Sequence, residues 1–368
     1  MNFTRLFPAA SIILIFVLSG MFPDLFVQNP PLYFRMTEEW SRVEGEKYIG
    51  IFKNPDTILE HELYLLSDET ENPLFFHSDV TTPVCIDGIC KPVFIELYWN
   101  LIGHYIGYGI KPREPLTKYD HDEFVEADYE KLHRLLSDNK SVLRRKKLSE
   151  LFDKNAELEK KVEYKGEEVD AVSGATKKEI KESVIEGALY SCYRLWHLVH
   201  GDVTDKIEAY LQAIYSEELE RDFLFSGYED YHFYALKQMS GTDFEAHLSR
   251  IVDIFRSDKP LTRTYILKKI PKAYVGREAV SRGLYGAFSA VDINSRTLLV
   301  EHLPYAHPVA SELLSTQVSE MSKNQLEAYL KFLVEDESRL TPDILRNLKK
   351  VAASNEYAYG YLIERYLE

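Results

Sequence analysis

Basic charge is in deficit. The 368 residues carry 44 Lys and Arg against 59 Asp and Glu, a formal net charge of −15. A nucleic-acid partner is thereby excluded, because phosphate binding needs a basic face. Cysteine is scarce, with three in the chain, and no Cys-x-x-Cys-His occurs, which excludes c-type haem attachment. The G-x-S-x-G elbow, the P-loop and the dinucleotide fingerprint are also missing. Wholesale disorder is excluded by an apolar fraction of 45%, ordinary for a globular protein, and the length suffices for two domains. The 25 Tyr and 19 Phe suit packing and say nothing alone about a cofactor.

The N-terminus carries a separate message. Met1 to Arg5 is a short segment with one positive charge, and Leu6 to Pro23 follows without any. This is the layout of a signal peptide or signal anchor. Ser19 and Gly20 are small enough to precede a cleavage site, and no cysteine near the end of the run supports a lipoprotein. The expectation is an exported protein, periplasmic or on the outer face of a membrane, its leader (1–23) removed or serving as an anchor through residues 6–23.

Three regions follow. Residues 30–92 read as irregular and β-rich, with Tyr48–Phe52 and Leu63–Leu66 as short apolar groups between turn formers. Pro92–Trp99 reads as a strand, Asn100–Gly103 as a turn, and His104–Ile110 as the returning strand. Glu123–Ser137 has helical spacing, with Asp120–Glu123 as its polar cap. Arg144–Lys147 reads as a solvated helix face. From Thr204 onward strand signals fade and helical periods recur, at 205–215, 244–255, 325–334 and 344–353. Arg263–Pro271 echoes Arg296–Pro304 at an offset of 33 residues. Paired helices at that period suggest a HEAT-like solenoid, with an irregular helical bundle as the alternative. The expected division is 30–203 and 204–368.

The segment with the most chemical content runs from Val169 to Glu179 and contains Asp170 and Ser173-Gly174-Ala175-Thr176-Lys177-Lys178. It precedes an apolar series, Ile180, Val184, Ile185, Ala188, Leu189, Cys192, Leu195, Trp196 and Val199, that reads as one face of a long helix. Free N–H groups and the positive end of a helix dipole favour an anion at such a start. Gly174 and Ala175 let a ligand approach the backbone, and Lys177 and Lys178 add positive charge. Thr176 and Glu179 also form a capping box, which a plain helix start would share.

Asp-x-x-Ser/Thr-Gly-Ala-Thr before a helix resembles the signature of the FMN-binding domain found in subunits of sodium-translocating NADH:quinone reductase and related electron-transport complexes. Asp170, Ser173, Gly174, Ala175 and Thr176 match it residue for residue, and the likeness extends back to Pro92 in general layout. The resemblance implies an α+β FMN-binding-like domain, here followed by the all-α region read from helical periodicity. It also implies a flavin transferase that attaches FMN through a phosphoester, and a redox partner. The protein is then an electron carrier, with no substrate-turning triad. Two positions after the motif Thr the family usually carries another Ser or Thr, where this chain has Lys178. FMN is therefore expected either covalently at Thr176 or non-covalently, its phosphate paired with lysine. A flavin-free relative that binds a protein partner through its helical repeats is the alternative.

Cys85 and Cys90 flank Asp87-Gly88, a hairpin signal that would bring them together. In an oxidising compartment a structural disulfide is expected, with a redox pair serving a nearby flavin as the sharper reading. Cys192 reads as core packing. His197 and His200 read as a helix-end pair near Gly201, and His104 as a partly exposed strand residue.

Overall fold

The computed structural model describes residues 41–53, 59–83, 92–111, 114–118, 121–147, 180, 182–354 and 356–367. The chain divides into two compact units, the first ending at Tyr210 and the second starting at Leu211.

The first unit holds a five-stranded antiparallel sheet in sequential order. Its strands are β1 (Gly45–Lys53), β2 (Glu60–Ser67), β3 (Pro73–Thr82), β4 (Val93–Trp99) and β5 (Tyr105–Gly109). The sequence alternates accordingly. In β2, His61, Leu63 and Leu65 are buried while Glu60 and Glu62 are exposed, the period of two that a half-buried strand requires. The β2–β3 turn is organised by Asp68, whose carboxylate accepts from the Thr70 and Asn72 N–H groups at 3.0 Å and from Arg42 at 3.0 Å. The β4–β5 turn is organised by Asn100, which accepts from the N–H groups of Ile102 and His104 at 3.1 and 2.9 Å. Gly103 completes that turn at φ +79°, a conformation side chains resist.

Three helices accompany the sheet: α1 (Glu126–Ser137), α2 (Leu189–Val199) and α3 (Asp202–Ile214), the last containing the division between the units. The inner face of the sheet carries Phe52, Leu63, Phe76, Val80, Leu97 and Trp99, all essentially inaccessible. Trp99 Nε1 donates to the Val199 carbonyl at 3.0 Å, and Tyr108 donates to the Tyr129 carbonyl at 3.0 Å, tying sheet to helices. Two expectations are corrected here. The start of α1 is capped by Asp128, which accepts from Val125 N–H at 3.0 Å, and not by 121–123, the described residues of the expected cap. The apolar series 180–199 is not one helix. Its members are all buried, but turns occupy 182–187 and α2 starts at Leu189, because Gly187 adopts φ +76° against Lys118.

The second unit is helical and repeat-like. In order come α4 (Glu217–Phe225), α5 (Glu229–Gln238), α6 (Gly241–Ala246), α7 (Leu248–Ser257), α8 (Pro260–Lys269), α9 (Lys272–Val275) and α10 (Glu278–Gly286). There follow α11 (Ile293–His302), α12 (Val309–Ser315), α13 (Lys323–Val334), α14 (Pro342–Ala352) and α15 (Gly360–Leu367). Ser216, Asp292, Ser322 and Thr341 cap their helices by accepting first-turn N–H groups. The expected helix 244–255 is broken at His247 into α6 and α7.

Two rows of helices result. One stacks α4, α7, α10, α12 and α14, and the other stacks α5, α8, α11, α13 and α15. The echoing segments at Arg263 and Arg296 lie in α8 and α11, neighbours in one row. Polar bonds recur between successive members. Gln325 Nε2 donates to the Ile293 carbonyl and Thr297 hydroxyl at 3.0 and 2.9 Å, Gln317 Nε2 to the Tyr285 carbonyl at 3.0 Å, and Asn347 Nδ2 to Ser315 Oγ at 2.9 Å. Their spans of 28 to 32 residues fix the register of one repeat on the next.

Candidate functional site

Strand register builds a row of rings across the outer face of the sheet. Tyr48 stands opposite Tyr64, Tyr64 opposite His77, and His77 opposite Tyr98. Tyr48 and Tyr64 meet edge to face at 5.8 Å between centroids, and His77 lies over Tyr98 at 5.0 Å. Carboxylates surround the row. Tyr64 donates to Glu62, and Tyr98 donates to Glu96 at 2.8 Å. His77 lies between Glu46, 3.6 Å from Nδ1, and Asp79, 3.7 Å from Nε2, and Lys111 Nζ is 3.6 Å from Asp79.

These neighbours set the titration of the row. The bond to Glu62 holds the Tyr64 phenol up at about 12. Burial, then Glu96, pushes Tyr98 far above its ordinary value. His77, then Lys111, holds Asp79 below the usual carboxylate range against the opposing effect of burial. Both phenols therefore stay protonated donors at neutral pH.

The pair Tyr64–His77 is also where the sheet divides. The β2–β3 ladder runs from Ser67–Pro73 to Tyr64–His77 and stops. Beyond it β2 stays paired with β1 as far as Glu60–Lys53, and β3 with β4 as far as Thr82–Val93. A cleft of about 600 Å³ lies in the fork. Glu60, His61, Glu62 and Tyr64 line it from β2, Asp79, Thr81 and Thr82 from β3, and Leu59, Pro83 and Pro92 complete it. His61 is only 6% exposed, lies tilted against the Phe52 ring at 5.5 Å, and has its pKa lowered by burial. It is neutral at pH 7 and presents one ring donor and one acceptor.

The cleft is anionic. Glu60, Glu62 and Asp79 make it unsuited to the phosphate of FMN, which is itself doubly charged near neutral pH. Among the described residues no three His, Cys, Asp or Glu side chains group to hold a metal ion.

The residues expected from sequence to bind cofactor, Asp170, Ser173, Gly174, Ala175, Thr176, Lys177 and Lys178, lie outside the described residues, as do Cys85, Cys90 and the leader. Cys192 is buried in α2, as expected for packing. His200 Nε2 bonds the Leu136 carbonyl at 2.8 Å and its ring lies 4.7 Å from Trp196, so it joins α2 to the end of α1. Among the described residues no helix is long and apolar enough to cross a membrane. The ring row and the fork were not read from sequence. The alternation of Tyr64 with Glu62 and of Tyr98 with Glu96 is the one local signal they leave. Compared with models of known protein families, with characterised proteins and with solved structures, the chain finds no match.

Proposed function

We propose that the first unit is an FMN-binding-type module of an exported electron-transfer protein, carrying its flavin at the Ser173–Thr176 segment. One observation carries this reading: Asp170 and Ser173-Gly174-Ala175-Thr176 fit the flavin-attachment signature, downstream of an antiparallel sheet and directly before a fully buried apolar series. In this reading Asp170 orders the loop. Ser173 and the backbone from Gly174 to Lys177 hold phosphate, and Thr176 provides the anchoring hydroxyl. Lys177 and Lys178 balance the phosphate charge. FMN supplies one- and two-electron chemistry when bound. The test is in-gel flavin fluorescence after export and co-expression with a flavin transferase. A fluorescent band that is lost in Thr176→Ala supports covalent anchoring. A colourless protein that also fails to bind added FMN overturns the flavin reading.

A second reading is favoured by the helical unit. Its two stacked rows, tied at repeat spacing, suit a HEAT-like scaffold that presents a surface to a protein partner. Lys268, Lys269 and Lys272 are exposed there without a carboxylate within 4.0 Å among the described residues, and Lys272 lies 3.9 Å over the Tyr305 ring. Lys178 in place of a hydroxyl points the same way, to a flavin-free relative acting as an interaction module.

A further inference from the structure

We propose that the fork between β2 and β3 binds an extended, basic peptide segment, paired through its main chain to the open strand edges and through its side chains to Glu60, Glu62 and Asp79. None of the residues lining it belongs to the flavin segment, and the proposal does not depend on bound flavin.

The case begins with backbone accounting. Every strand residue carries a donor and an acceptor that need partners. From Glu60 to Leu63, β2 bonds β1 on one side, and from Ser78 to Thr82, β3 bonds β4 on one side. Among the described residues no ladder or other backbone bond joins the facing edges. An antiparallel sheet would ordinarily zip closed here, as it does from Ser67 to Tyr64. The open lengths are roughly 13 and 17 Å at the rise of a strand, enough for four or five peptide residues.

Buried side chains repeat the pattern. His61 lines the cleft at 6% exposure. Ser78 Oγ is fully buried and unpartnered. Thr82 lines the cleft at 2% exposure with no side-chain hydrogen bond among the described residues. Buried polar groups in folded proteins are nearly always bonded, so the unpartnered Ser78 hydroxyl on β3, with the polar side chains of His61 and Thr82 in the cleft beside two open edges, suits a ligand rich in alternating donors and acceptors. A peptide main chain is that ligand, and strand addition is an established mode of recognition.

The rim chooses the side chains. Glu60, Glu62 and Asp79 are exposed and line the cleft; among the described residues Lys53 pairs with Glu60, and Lys111 and His77 with Asp79. Successive peptide side chains alternate in direction, so a Lys or Arg at every second position meets the carboxylates. An acidic peptide is repelled.

The test uses the full chain without flavin and three fluorescein-labelled hexapeptides: alternating Lys-Val, alternating Glu-Val, and Lys-Val with alternate amides N-methylated. In fluorescence anisotropy the Lys-Val peptide binds and the Glu-Val peptide does not. N-methylation weakens binding roughly tenfold or more, because ladder donors are lost. The double variant Glu62→Gln/Asp79→Asn weakens it by a similar factor while its far-UV circular dichroism spectrum keeps the folded shape. Hydrogen exchange shows fast amides within 60–63 and 78–82 that the Lys-Val peptide protects. Equal binding of the N-methylated peptide, undiminished binding by the double variant, or amides already protected in the free protein would each overturn the proposal.

Discussion

Gly283 sits in α10 where that helix crosses α7. A Cβ placed there falls on Val252 Cγ1, well inside contact distance, and 3.4 Å from Val252 Cβ. Val252 is buried and β-branched, so its side chain has few alternative rotamers to escape into. Gly286, one turn further along the same helix, meets nothing within 4 Å. The two positions make a matched pair. Alanine for glycine gains about 1 kcal/mol of helix propensity in a helix interior, and less at the last turn where Gly286 lies. At Gly283 that gain is opposed by overpacking of about 1–3 kcal/mol. Gly283→Ala is therefore expected to be neutral to destabilising by about 2 kcal/mol, and Gly286→Ala neutral to slightly stabilising. Val252→Ala removes the obstacle, so in that background Gly283→Ala becomes stabilising, with a coupling of about 1–3 kcal/mol between the sites. Tryptophan occurs at 40, 99 and 196, outside the second unit, so fluorescence does not follow these helices. Urea unfolding by far-UV circular dichroism, with hydrogen exchange in α10, does. Equal stability of the two glycine variants, or zero coupling with Val252, would show that the α7–α10 crossing is not close-packed there.

Two further outcomes concern the sheet. Burial pushes the Asp68 carboxyl up, but bonds from Thr70, Asn72 and Arg42 outweigh it and hold its pKa at about 2 against 3.8. The pKa is depressed on folding, so the stabilisation is complete above about pH 4 and lost as pH falls through 2. Asp68→Asn is expected to cost about 1–3 kcal/mol at pH 7, with the gap to wild type closing by pH 2 in tryptophan-monitored unfolding; a constant gap contradicts the assignment. Glu62→Gln is expected to bring the Tyr64 phenol down from about 12 toward 10, read by NMR titration of tyrosine-labelled protein with Tyr64→Phe for assignment. A Tyr64 titration unmoved by the substitution removes Glu62 as the cause.

Local features were legible where neighbouring residues decide them. The hairpin at 93–109 is written as two apolar alternations around Asn100 and Gly103, and both residues act as read. The helical periods read at 325–334 and 344–353 fall on α13 and α14. The echo between Arg263 and Arg296 placed two helices at one period, and they stack as neighbours. Legibility failed at Gly187 and His247, where an unbroken apolar period hides a change of backbone direction. Periodicity records which residues are buried, and burial survived at Ile180, Val184 and Ile185 although the helix did not.

The sequence by itself determined the order of the parts: a β-rich section, a flavin-type motif, then helices at a repeat period. Composition, caps and short-range spacing suffice for that. The ring row of Tyr48, Tyr64, His77 and Tyr98, and the fork beyond it, were decided only by tertiary structure. Fifty residues separate the ends of that row in the chain, and register alone aligns them. Whether β2 continues to pair with β3 past Tyr64 depends on what each strand gains from its other neighbour, a balance between distant segments that no local pattern records.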